Sequence, residues 1–149
     1  MALGPFDAWA GGVAEPDLLT ALQSSLDALL VFYAEAKLAH WNVRGPLRMP
    51  LHEKFGALAD AASEHADVVA ERLVQLGGVV APTRVEVAPY ESNDGLALAR
   101  DVTARVATAT NALVAAQQAA EAEPETVDVL VQALRELEKH GADVALHLA

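Results

Sequence analysis

Apolar positions recur along this chain at intervals of three and four residues, in four separated blocks. That is the period of a helix with one face turned inward. In the first block Leu22, Leu26, Leu29, Tyr33, Ala36 and His40 step by 4, 3, 4, 3 and 4. Pro16 and Asp17 suit its opening, where a missing donor costs nothing and an acid favours the helix dipole. The second block runs from Pro50 to Leu76 without an internal proline and carries Phe55, Ala59, Ala62, Ala66, Val69, Leu73 and Leu76 on one face. Gly77-Gly78 ends it, with Pro82 beyond. The third is expected from about Asn93-Asp94, a plausible cap, to about Ala122, burying Val102, Val106, Ala109, Leu113 and Ala116. The fourth opens at Pro124 and continues to about Leu148; Gly141 inside it costs ~1 kcal/mol relative to alanine.

Between the second and third blocks, Val79 to Asn93 holds Pro82, Pro89 and only the short alternation Val85, Val87, so an irregular crossover is expected. Residues 1–15, with Gly4-Pro5 and Gly11-Gly12, read as a flexible N-terminal arm, and residues 16–149 as one domain. Four helices of ~25 residues, two tight connections and one long crossover define an all-α four-helix bundle.

Composition narrows the chemistry. Of 149 residues 53% are hydrophobic, much of it alanine, which favours helix. There is no cysteine, so metal binding must use nitrogen and oxygen. Net charge is -11, from 21 acids against 10 bases, a balance that gathers cations and repels nucleic acid. No lysine or arginine precedes Lys37 or follows Lys139, so neither terminus is a basic arm. The absence of a signal-peptide pattern and of a run of ~18 apolar residues makes a soluble cytoplasmic protein the expectation.

The candidate chemistry lies between His40 and Glu71. His52 follows His40 by twelve residues, Asp67 follows His52 by fifteen, and Glu71 follows Asp67 by four. Two imidazoles and two carboxylates form a ligand set for iron, zinc or manganese. On one helix His52 and Asp67 would stand ~22 Å apart, too far to share an ion. His40 and His52 flank a short turn, so they sit at the same end of two antiparallel helices. If all four residues bind together, the acids must come from a second subunit packed antiparallel about a two-fold axis. Read alone, the same residues are equally well two unrelated histidines and a solvated ridge of Asp60, Glu64, Asp67 and Glu71, whose like charges repel.

The pattern H-W-N-V-x-G from His40, L-H-E-x-F from Leu51 and D-x-x-x-E-R from Asp67, followed by Leu73-Val74-Gln75-Leu76-Gly77-Gly78, resembles the signature of the Dps family, the DNA-binding proteins from starved cells or mini-ferritins. The resemblance is close over Leu18 to Gly78 and resumes more loosely over Pro124 to Leu137. It implies a ferritin-like four-helix bundle with a long crossover between its second and third helices. By the same resemblance His40 and His52 from one subunit and Asp67 and Glu71 from its partner would be both the metal ligands and the catalytic residues of a ferroxidase. Iron would be the metal, with zinc or manganese as substitutes, and hydrogen peroxide the oxidant preferred over dioxygen. Ferric oxide would be stored in a hollow homo-oligomer, a dodecamer built from two-fold dimers. Threefold pores would be lined near the start of the last helix, with Asp128 foremost among Glu121, Glu123, Glu125 and Asp128.

The chain departs from the family pattern at two places. A carboxylate one turn after the second histidine is replaced by Gly56, which leaves a second iron to water, to Glu53 or Glu64, or without a place. An aromatic residue between Gly45 and His52 gives way to Arg48-Met49-Pro50. The crossover looks too brief for the short extra helix often found there. Trp41 is expected to pack the site more than to intercept oxidising equivalents, and His65 reads as a surface histidine; His140 and His147 carry no role. Two competing readings are a nucleoid-associated, DNA-compacting protein, which the charge and the missing basic arms oppose, and a structural oligomer holding zinc.

Overall fold

The computed structural model describes residues 15–149; the expected arm lies outside them except for Glu15, which caps the first helix. Four helices follow: α1 (Pro16–Asn42), α2 (Arg48–Gln75), α3 (Gly95–Ala119) and α4 (Pro124–Ala145), with a 3-10 turn at Leu146–Leu148. Helix α1 packs on α2 and α3, and α4 packs on the same two, which leaves α2 and α3 diagonal. The crossover between these diagonal helices runs the length of the bundle. It brings Asn93 to Gly95 against the α1–α2 turn, where Arg44 N–H donates to Asn93 O at 2.9 Å and Gly95 N–H to Arg44 O at 3.1 Å.

The expected apolar stripes are buried with one shift. In α2 all seven positions from Phe55 to Leu76 are buried, as are all five named in α3. In α1 the buried face passes from Leu29 to Phe32, Ala36, Ala39 and Val43, so Tyr33 and His40 lie on its half-buried flank. A helix of 3.6 residues per turn permits both spacings; the bulk of Phe32 decides, because it fills the centre of the bundle. The flank that His40 occupies faces α2.

The ends of α2 show why the chain turns where it does. Pro50 sits in its first turn but the helix begins two residues earlier, with Leu51 N–H bonded to Leu47 O. At the far end Gly77 adopts φ +90°, a left-handed conformation that glycine enters without a Cβ penalty. Gly77 N–H then reaches Val74 O and Gly78 N–H reaches Leu73 O, both at 3.0 Å, closing the orphan carbonyls. Helix α3 starts after Asp94 as expected, but the Asp94 side chain caps nothing; it ends at Ala119, short of Ala122.

The crossover contains no helix and is fixed side by side with α1. Gln23 bonds both the N–H and the carbonyl of Ala81, Thr83 donates to Asp27 at 2.7 Å, and Tyr90 donates to the Glu35 carbonyl at 2.9 Å. The Arg105 guanidinium stacks 4.0 Å over the Tyr90 ring and lies 2.7 Å from Glu35, off the line of a well-directed N–H bond. Burial pushes the Tyr90 hydroxyl up to about 12 against the opposing pull of Arg105. Burial likewise raises Glu35, again partly countered by Arg105. Gly141 sits at a close contact: a Cβ there would lie 3.1 Å from Val106 Cγ1, so alanine would require the Val106 side chain to give by a few tenths of an ångström.

Candidate metal centre

The end of α1 and the start of α2 bring His40 and His52 face to face. Their rings stack with centroids 3.8 Å apart and planes 15° from parallel. Each ring bonds the other residue's backbone: His40 Nδ1 to His52 O and His52 Nδ1 to His40 O, both at 2.7 Å. The reason is local. The carbonyl of His40 would take the N–H of Arg44 if α1 continued, but Arg44 donates to Asn93 instead. The imidazole of His52 satisfies that orphan carbonyl. Because a carbonyl only accepts, both Nδ1 atoms carry a proton, which leaves Nε2 as the ring atom of each histidine with which a metal could bond. Backbone bonds of this kind fix the orientation and tautomer of metal-binding histidines.

Phe55, fully buried, sits between His52 and Gly56 in sequence and anchors this turn of α2. Gly56 lies directly beneath the His40 ring: a Cβ there would be 3.0 Å from Nδ1. Trp41 does not pack within its own chain; it is 64% exposed, with the Lys37 ammonium 5.8 Å from its ring.

Asp67 and Glu71 are not brought to the histidines. They lie on α2 with Asp60 and Glu64 as an exposed ridge, Asp67 ~22 Å and Glu71 ~28 Å along the helix from His52. None of the four is paired with a cation among the described residues. Arg72 turns away to α4, donating to Thr126 at 2.9 Å. Among the described residues no three histidine or carboxylate side chains of one chain are grouped to hold an ion. The pair of imidazoles and the pair of carboxylates thus stand towards opposite ends of α2.

The remaining candidates are dispersed. Glu53 and Glu64 are exposed and His65 is half-buried, away from the stacked pair. At the start of α4, Glu123 accepts from Thr126 and Asp128 from Gln132, while Glu121 and Glu125 are exposed. His140 lies 3.4 Å from Glu136, and His147 bonds the Asp143 carbonyl. No helix among the described residues is long and apolar enough to cross a membrane. What the sequence did not signal is the mutual bonding of the two histidines, which depends on where α1 ends.

Comparison with known proteins agrees with this architecture. The ferritin-like domain family matches residues 19–149. A DNA protection during starvation protein of Brevibacillus brevis is 36% identical over 120 residues, 74% of this chain and 80% of that protein. Its counterpart in Agrobacterium fabrum is 28% identical over 137 residues, 85% of this chain and 84% of that one. The solved structure of DpsA14 from Streptomyces coelicolor superposes with a TM-score of 0.80 at 30% identity, over 89% of this chain and 84% of that one. The chain belongs to the DNA protection during starvation (Dps) family of ferritin-like proteins.

Proposed function

We propose that the protein is an iron-detoxifying and iron-storing mini-ferritin that oxidises Fe(II) at sites shared between two subunits. His40 and His52 of one subunit and the partner subunit's Asp67 and Glu71 bind the substrate iron. The observation that carries this reading is the division of α2. Two imidazoles with open Nε2 atoms stand at one end, and two unpaired carboxylates stand at the other. A second copy of α2 laid antiparallel, with the two-fold axis near Asp60, midway between His52 and Asp67, joins the halves and generates two equivalent sites. Family membership supports the same end, and so does the net charge of -11, which draws cations.

Nitrogen–oxygen coordination with open positions suits Fe(II) and its oxidation. Two Fe(II) ions each give one electron; hydrogen peroxide, the preferred oxidant, takes both with two protons, and its O–O bond breaks to give two waters. Dioxygen is the slower alternative. Ferric oxide accumulates inside a hollow dodecamer, reached through pores at which Asp128 is the foremost lining acid. The protein acts in the cytoplasm.

Complementation tests the shared site. A His40→Ala plus His52→Ala variant and an Asp67→Asn plus Glu71→Gln variant are each expected to oxidise Fe(II) no faster than buffer. Co-assembled, they regenerate one intact site in each mixed dimer, so random mixing restores about a quarter of native activity. If each site lay within one chain, every chain of the mixture would be defective and no activity would return.

A further inference from the structure

Glu71 finds no cation among the described residues of its own chain. Its neighbour Arg72 is turned to α4 and donates to Thr126 at 2.9 Å. Arg48, the first residue of α2, is in the complementary state. It is exposed and paired with no carboxylate among the described residues. Its Nη1 donates instead to the Met49 sulfur at 3.2 Å, a weak acceptor for a charged donor.

The helix fixes where that guanidinium lies. Met49 and Asp67 are eighteen residues apart, about five whole turns, so they stand on one line along α2. A guanidinium resting on Met49 is therefore turned to the face that carries the acids. The spacing along the axis matches as well. Arg48 precedes His52 by four residues and Glu71 follows Asp67 by four, ~6 Å in each case. In an antiparallel copy the two steps run in the same direction. Wherever His52 stands beside the partner subunit's Asp67, Arg48 comes level with the partner subunit's Glu71.

Resting on the inter-subunit reading above, we propose that Arg48 is a positioning residue of the shared site: its guanidinium holds one oxygen of the partner subunit's Glu71 and leaves the other to the iron. An exposed ion pair of this kind adds little stability; its consequence is orientation. Two carboxylates one turn apart repel, and a planar fork of donors fixes the direction of one of them. Ligating carboxylates held in this way bind metal more tightly than free ones. The histidine-bearing end of α2 thus carries its own means of ordering the acids that it receives.

Co-assembly of complementary chains tests this. One chain keeps the histidines and carries Asp67→Asn plus Glu71→Gln; the other keeps the acids and carries His40→Ala plus His52→Ala. Dimers of either chain with itself lack a complete site, so Fe(II) oxidation reports the mixed dimer alone. Its one intact site has the histidine-bearing chain's Arg48 beside the other chain's Glu71. Arg48→Gln in the histidine-bearing chain is expected to raise the KM for Fe(II) about tenfold with little change in kcat. Arg48→Lys, which keeps the charge and loses the fork, is expected to recover part of that loss. Arg48→Gln in the acid-bearing chain is expected to raise KM far less. An equal rise from either chain would show that Arg48 serves only the fold of its own α1–α2 turn. No rise from either would show that it does not meet Glu71. Both results overturn the role of Arg48 while the shared site stands. A mixture with native Arg48 in both chains that oxidises no Fe(II) would sink the shared site itself, and Arg48 with it.

Discussion

The two ends of α2 are built differently. At its N-terminal end the candidate side chains are held by their own chain: His40 and His52 stack and bond each other's backbone, and His40 lies against Gly56. At its C-terminal end Asp67 and Glu71 are exposed and without a cation partner among the described residues, although the apolar face behind them at Ala66, Val69 and Leu73 is as fully buried as any in the bundle. Both ends have a sound core, so the difference lies in the polar groups alone. Imidazoles can be preorganised in a half-buried place because their N–H groups find carbonyls. Carboxylates of like charge one turn apart repel and are tolerated only in water or against a cation. A preorganised half and a waiting half are what a site closed by assembly requires.

The largest expected effect breaks the preorganised end. Phe55→Ala removes a fully buried ring three residues after His52 on α2 and is expected to cost about 3–5 kcal/mol in chemical denaturation. It should also loosen the histidine pair, read as a broadened His52 imidazole signal by NMR. An equal loss of stability with unchanged imidazole signals would show that the pair does not lean on this part of the core.

An intermediate effect sharpens the comparison through the crossover, which braces α1 at Glu35, near the histidine end. The Tyr90 hydroxyl keeps its proton to about pH 12 when folded, against 10 when unfolded. A group whose folded value is raised contributes stability that is complete below the unfolded value and lost as pH rises through the folded one. Stability should therefore fall between pH 10 and about 12 by about 1–2 kcal/mol, after allowance for partial exposure. Tyr90→Phe should remove that part of the slope; an unchanged slope would show that other groups carry it.

The smallest effect probes the waiting end. Asp67→Asn plus Glu71→Gln removes two like charges from the ridge and touches no buried contact. Unfolding stability at low salt should rise by about 0.2–0.5 kcal/mol, while Fe(II) oxidation is lost. A clear fall in stability would mean that the acids are already engaged within the folded chain.

Much of this was legible in the residues. Stripes such as Val102, Val106, Ala109, Leu113 and Ala116 name their own buried face, because burial on a helix follows a period that the sequence carries. Gly77-Gly78 announced the end of α2, since few residues other than glycine enter the left-handed conformation cheaply. The separation of His52 from Asp67 was equally plain, being fixed by helical rise. The shift from Tyr33 to Phe32 was not: both spacings satisfy the period, and only the space at the bundle centre chooses. The close contact of Gly141 was hidden in the same way, because its cost is local while its neighbour, Val106, lies on another helix.

The sequence by itself determined the four helices, the long irregular crossover and the fact that one chain cannot join its own histidines to its own acids. These are consequences of period and rise, which act within a segment. Tertiary structure decided that α1 ends with an orphan carbonyl at His40, that His52 satisfies it, and that Gly56 lies under the resulting stack. Those depend on which donors and which surfaces meet across helices, and no single stretch of chain contains that information.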